Sequence, residues 1–431
     1  HSLNVKDFDV IVNEISTKKT FIQSAFNISE FLVPICVLLF VVILDFDYKH
    51  FRIAAILGTV IATLSIVLTN LIGLDFISYN YGSTEHPSGS IVSWFIDSIN
   101  ETNWHEYTSR GLFDSGNAVA AFLSLLLPVT LFIAIKERKT LLFGLSFLQM
   151  LVLLMVSTRI SVFGAVVLFV IVALIFLFDT IFHKKKLDLK KSISLVLVLV
   201  LFAAFFCFSP FVFRVKSGEG FDNNFALNDT IKNNMQGEDD PDYVEEYKIA
   251  FIKDNYYYHY ISEEFITKYY DYNEHTDFWF DFMTKIDFEK RDNSRKIKAL
   301  ILDDLIENKG GTFDRWLGIG EAGVYPEMDF IAIYYSYGII GIILFLVPYI
   351  LIIIAAIIKL LIELFKKKFD MMSCCLVLAL GFVLASAFYA GNTMVYANIN
   401  IFIALVAGML LSFLLKGKEK QTKIVSEVKE E

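Results

Sequence analysis

The sequence predicts an all-α fold, a polytopic transmembrane helix bundle with one large extracytoplasmic helical loop. Three observations carry this. The 431-residue chain is 55% hydrophobic with a mean hydropathy of +0.55, more apolar surface than one soluble core can bury. Its apolar residues fall in runs of bilayer length, and the basic residues between those runs alternate regularly.

A helix needs about 20 apolar residues to cross the hydrocarbon core. Runs of this kind lie at 27–44, 51–73, 118–135, 140–157, 160–182, 192–213, 341–363, 371–390 and 399–415, which predicts nine spans. Short loops keep Lys and Arg on the cytoplasmic side. "YKHFR" 48–52, "KERK" 136–139, "HKKK" 183–186, "KKK" 366–368 and the tail from Lys416 all fall on one side when successive spans alternate. Residues 1–213 thus hold spans one to six with an outer loop at 74–117. Residues 214–329 form the large extracytoplasmic loop, 330–415 hold spans seven to nine, and 416–431 are a cytoplasmic tail. His1 falls outside by parity with no signal peptide before it, so further spans are expected upstream.

The outer loop 74–117 is broken by Gly82, Pro87 and Gly89, and its Trp94 and Trp104 suit the headgroup level. The 214–329 segment carries 26 acidic and 14 basic side chains. That acidic surface serves solubility and argues against a nucleic-acid partner. Its first stretch, to Asp242, has few apolar residues to bury. From Val244 to Phe288 aromatics alternate with acids, a pattern of a packed helical cap or of a surface that grips sugars. "DNSRKIKALILDDLIENKGG" then reads as an amphipathic helix lying on the membrane surface. Asp292 or Asn293 caps it, Ile297, Leu300, Ile301 and Leu305 share its face, and Gly310-Gly311 ends it.

Metal and disulfide chemistry find little footing. Cys36, Cys207, Cys374 and Cys375 all lie in predicted spans, without zinc spacing. His259 and His275 sit among Tyr and Phe with no second ligand at helical spacing, and "GEDDPD" 237–242 lacks the order of a calcium loop. The predicted metal and cofactor requirement is none.

The candidate site is built from arginines and carboxylates. From Thr140 to Phe178 the chain carries one charge, Arg159. A guanidinium there costs several kcal/mol unless it snorkels or finds a partner. Arg295 falls in the first turn of its helix, already a positive pole, where a phosphate would turn an unfavourable cation into a favourable one. A pair with Asp292 or Asp287 would satisfy it equally, and Arg291 shares either role. Arg110 precedes span three, with Asn117 at the span's lip. Glu327 and Asp329 in "YPEMDF" are placed to orient or deprotonate a hydroxyl, or to pair with one of the arginines.

"RGLFDSGNAVAAFLSLLLP", "STRISVFGAVVL", and then "NSR", "WLGIG", "EMDF" and "YGIIG" in and after one long loop, together resemble the O-antigen ligase and polymerase superfamily of bacterial membrane glycosyltransferases. The resemblance implies a GT-C-like bundle in the bacterial cytoplasmic membrane with its catalytic loop outside. It implies transfer or polymerisation of oligosaccharide repeat units from a polyprenyl-diphosphate carrier onto an acceptor glycan, without metal or cofactor. The implied partners are the lipid-linked oligosaccharide, the acceptor glycan and the bilayer, with room for a chain-length regulator. Family arginines that bind diphosphate map onto Arg159 and Arg295. Ligases of the lipopolysaccharide type carry a His where "PEMDF" has none, which favours a repeat-unit polymerase over a ligase. A flippase for the same lipid would place paired charges at mid-membrane and show inverted repeats; here the span interiors are nearly uncharged.

Overall fold

The computed structural model describes residues 21–44, 46–79, 85–216, 240–259, 261, 263, 266–267, 270–285, 293–308, 311–320 and 326–415. Gly82, residues 237–239 of the acid run, Arg291 with Asp287 and Asp292, Gly310 and the tail 416–431 lie outside them. The described residues are helical and contain no strand. They divide into two compact units: Thr20–Ser217 with the chain from Phe345 onward, and Gly218–Leu344.

The first unit is a helix bundle. It contains α1 (Phe21–Ile43), α2 (Tyr48–Leu71), α3 (Gly116–Glu137), α4 (Thr140–Val156), α5 (Arg159–Phe182), α6 (Leu189–Phe208) and the short α7 (Pro210–Lys216). After the second unit the chain returns as α13 (Val347–Phe365), α14 (Met371–Tyr389) and α15 (Ala397–Leu415). Helix α3 is the hub, packed by α2, α4, α5, α14 and α15 and buried over most of its length. A helix that is apolar all round belongs at such a place. Two polar contacts tie it to its neighbours: Thr130 Oγ1 lies 3.3 Å from Thr59 Oγ1 of α2, and Gln149 Nε2 of α4 donates to the Leu123 carbonyl at 2.7 Å.

Among the described residues, seven helical runs are long and apolar enough to cross a membrane: 48–71, 116–137, 159–182, 189–208, 329–365, 371–389 and 397–415. Leu32–Ile43 and Thr140–Val156 are shorter apolar helices. The nine apolar runs of the sequence are all helical, with one correction. The sixth is split, because α6 stops at Phe208 and Ser209 is extended (φ −75°, ψ 152°) before Pro210 opens α7. Proline pushes the residue before it out of the helical region. The seventh follows without a loop from a hydrophobic helix that starts at Asp329 and is kinked at Gly338.

The second unit contains α8 (Pro241–Asn255), α9 (Thr276–Lys285), α10 (Asn293–Asn308), α11 (Thr312–Leu317) and α12 (Asp329–Phe345), whose last residue opens the bundle's second stretch. Its core joins Phe251, Ile252, Tyr270, Trp279, Phe282 and Met283 to Ile297, Ile301, Leu302 and Ile306 of α10. This corrects the expected face of α10. Ile297 and Ile301 are inside, but Leu300 is 39% exposed and the buried arc turns instead toward Leu302 and Ile306. That face packs against protein. Helix α10 also holds its neighbours by polar contacts: Asp304 accepts from the Tyr270 hydroxyl and Asp303 from that of Tyr335. Burial, then the Asp304 carboxylate, raise the Tyr270 pKa above the ordinary tyrosine value, so its hydroxyl is a standing donor.

Candidate functional site

Arg295 is the third residue of α10, and its Nε donates to Glu327 Oε2 at 2.7 Å. The pair is partly exposed, with 25% of the arginine side chain and 36% of the glutamate accessible. Glu327 sits between the buried Pro326 and α12, so backbone packing on both sides carries its carboxylate to the start of α10. The sequence pointed to Asp292, Asp287 or an anion as the partner of Arg295; the structure supplies Glu327. One of five guanidinium N–H donors is spent on that bond. Asp329, two residues on, is fully buried in the first turn of α12, where a carboxylate complements the helix dipole. Of the two acids in "PEMDF", Glu327 is the one open to solvent.

The motif "WLGIG" meets "YGIIG" in the same unit. Gly318 (φ 78°) and Gly338 (φ 66°) both occupy the left-handed region. A Cβ on Gly318 would run into the backbone of Ser336 and Tyr337, and one on Gly338 into the backbone of Trp316 and Gly318. The crossing is bonded by Ile319 N to Tyr335 O (2.7 Å) and Gly320 N to Ser336 O (3.2 Å). Gly338 is also where α12 departs from helical geometry. The two glycines let one backbone lie across another, bracing residues 316–320 against the middle of α12.

A second group gathers at one end of the bundle unit, around the corner between α4 and α5. Ser157 turns through φ 54°, Thr158 caps α5 by accepting from Ser161 N at 3.1 Å, and Arg159 is the exposed first residue of that helix. The last carbonyls of α4 have no partner within the helix, and the loop before α3 meets them. Ser109 N bonds Met155 O at 2.9 Å, and the Tyr79 hydroxyl bonds Ser157 O at 2.7 Å. Arg214 of α7 donates to the same Ser157 carbonyl at 2.9 Å and to the Tyr79 hydroxyl. Its guanidinium lies 4.6 Å from the Tyr79 ring centre and 5.2 Å from that of Trp104, a cation–π clamp. Trp104 is buried in this cluster.

Arg110, bonded through its backbone to Phe76 O at 2.9 Å, has its side chain buried with Cζ 5.8 Å from the Phe76 ring centre. Asn117 is half-buried in the first turn of α3, whose cap is Ser115. The structure thus brings Arg295 to Glu327 in one unit and sets Arg110 and Asn117 on the segment braced against the Arg159 corner in the other. Arg214 escaped the sequence reading because it falls where an apolar run becomes a polar loop. The "SP" preceding "FVFR" was the available signal of a break that turns the chain inward. Among the described residues no group of three His, Cys, Asp or Glu side chains is arranged to hold a metal.

The family model described as "O-antigen ligase like membrane protein" matches residues 1–417. The chain belongs to that family. No curated protein and no solved structure matches it. Membership makes this ligase-like chain a multi-pass membrane protein with a glycan-processing role, of the ligase or polymerase type. Within the ligase-like chain, "LGIG" and "YGIIG" each owe their first glycine, Gly318 and Gly338, to the backbone crossing.

Proposed function

We propose that the ligase-like chain polymerises oligosaccharide repeat units from a polyprenyl-diphosphate carrier onto an acceptor glycan at the outer face of the bacterial cytoplasmic membrane. The observation that carries the reading is the family match over nearly the whole chain, joined to a partly exposed Arg295–Glu327 pair set at the start of α10. In the proposed reaction an acceptor hydroxyl attacks the anomeric carbon of the donor sugar. The bond from that carbon to the carrier oxygen breaks, and the diphosphate leaves with the electron pair. Negative charge grows on the leaving oxygen, so a fixed guanidinium stabilises the transition state more than the ground state.

Arg159 is assigned to the carrier diphosphate and Arg295 to phosphate charge beside Glu327. Arg295 holds one oxygen of the Glu327 carboxylate, and the remaining lone pairs of that carboxylate orient the acceptor hydroxyl and take its proton. Asp329 is assigned to holding the start of α12. Arg110 and Asn117 are assigned to positioning the segment beside Arg159, and Arg291 to the same phosphate as Arg295.

The test is incubation of the purified full chain with a synthetic polyprenyl-diphosphate oligosaccharide. A ladder of products separated by one repeat unit is expected, with Glu327→Gln slowing it by about 10²–10⁴-fold, the range of general-base contributions. A single addition would make the protein a ligase. Movement of the lipid across a vesicle without glycan transfer would make it a flippase and overturn the proposal.

A further inference from the structure

Far along the sequence from the arginine corner, two lysine triplets, Lys184–Lys186 after α5 and Lys366–Lys368 after α13, form turns of the same design. In the first, Lys184 N bonds Ile181 O (3.0 Å) and Lys185 N bonds Thr180 O (2.9 Å). In the second, Lys367 N bonds Leu364 O (2.9 Å) and Lys368 N bonds Glu363 O (2.8 Å). Both are Schellman caps, and both need a left-handed residue at the position where glycine is customary. Both place lysine there instead, Lys184 at φ 51° and Lys367 at φ 58°. The helix dipole favours cations anywhere in the last turn and so does not select this strained position. The same costly choice made twice points to a demand for the side chain.

The turns are neighbours despite their distance in sequence. The Phe369 ring, immediately after the second triplet, packs against Phe178 (4.9 Å between centres), Phe182 (6.0 Å) and His183 (6.5 Å) at the end of α5. The local acids are largely engaged. Asp179 takes His183 and Lys185 at 3.0 Å each, Asp188 takes Arg138 at 2.9 Å, and Asp370 caps α14 through Ser373 N at 3.1 Å. That leaves Glu363 against Lys184, Lys186, Lys190, Lys366, Lys367 and Lys368, all exposed and none with an ion pair among the described residues. Apolar side chains stand beside them: Phe365 is 88% exposed, Leu187 52% and Leu189 69%. Six unneutralised ammonium groups beside exposed hydrocarbon suit a ligand that carries both a phosphate and acyl chains better than a soluble acidic protein.

We propose that these two turns, clasped by Phe369, form a binding site for the phosphate headgroup of an anionic phospholipid. The probe is phosphatidylglycerol, measured on the full chain in nanodiscs as lipid retained in native mass spectrometry and as the rise in Tm over phosphatidylcholine alone. Lys184→Gly with Lys367→Gly removes two charges while relieving both left-handed turns. It should leave Tm in phosphatidylcholine unchanged or higher, yet cut phosphatidylglycerol retention by about tenfold or more.

Phe369→Ala keeps every charge but releases the clasp, and should also weaken retention; Phe369→Leu serves if that variant does not fold. Lys49→Gln with Lys139→Gln removes the same charge from other basic loops and should retain the lipid. Unchanged retention in the double glycine variant would overturn the proposal, as would an equal loss in the Lys49/Lys139 control.

Discussion

Arg214 carries a cation into a buried place, where it survives by donating to the Ser157 carbonyl and lying against Tyr79 and Trp104. Under the proposed function its work is indirect: it holds the turn from which Arg159 starts α5. Arg214→Ala is therefore expected to lower turnover by about 10–100-fold, by analogy with the loss of partners that orient metal ligands. Arg214→Lys, which keeps the charge but not the fork, should fall between. Steady-state kinetics on folded protein check this. A raised donor KM together with a lowered kcat indicates displacement of Arg159, whereas a purely structural role would reduce the active fraction and leave KM alone. Arg159 was legible as the one charge in an apolar run, and Arg295 as a cation in the first turn of a helix. Their surroundings were not, because Tyr79, Trp104 and Arg214 are scattered in sequence and meet only when the loop before α3 folds against α7.

At the scale of elements, the helices of the bundle were readable because hydropathy over a bilayer length needs no tertiary information. The breaks were less so. Pro210 splits the sixth apolar run through its effect on Ser209, while the face of α10 depends on what packs there, and Leu300 is left outside. The glycines of "LGIG" and "YGIIG" were legible as a motif and opaque as a cause. Gly338→Ala adds a Cβ against the Trp316 backbone at a positive φ. The expected cost is about 1–3 kcal/mol or more from strain alone, read as a lower Tm and faster limited proteolysis of the segment around Trp316. Wild-type stability and protection in that variant would show that the crossing yields easily.

At the scale of the molecule, one chain combines a bundle of apolar helices with a second unit whose core is its own, and the family match runs through both. Net acidity in the long loop and near absence of charge inside the spans fit a reaction at a membrane surface better than carriage across it. The choice of polymer and linkage belongs to contacts with sugars that composition does not encode.

The central proposal is that the guanidinium of Arg159, assigned to the carrier diphosphate, and that of Arg295, assigned to phosphate charge beside Glu327, each stabilise the transition state of transfer. The direct measurement is single-turnover transfer from a saturating synthetic polyprenyl-diphosphate oligosaccharide by Arg159→Ala and Arg295→Ala, each first shown to be folded. The account predicts that each variant slows the chemical step by about 10²–10³-fold, as when one transition-state donor is removed. Transfer at the unmodified rate by both variants would contradict it.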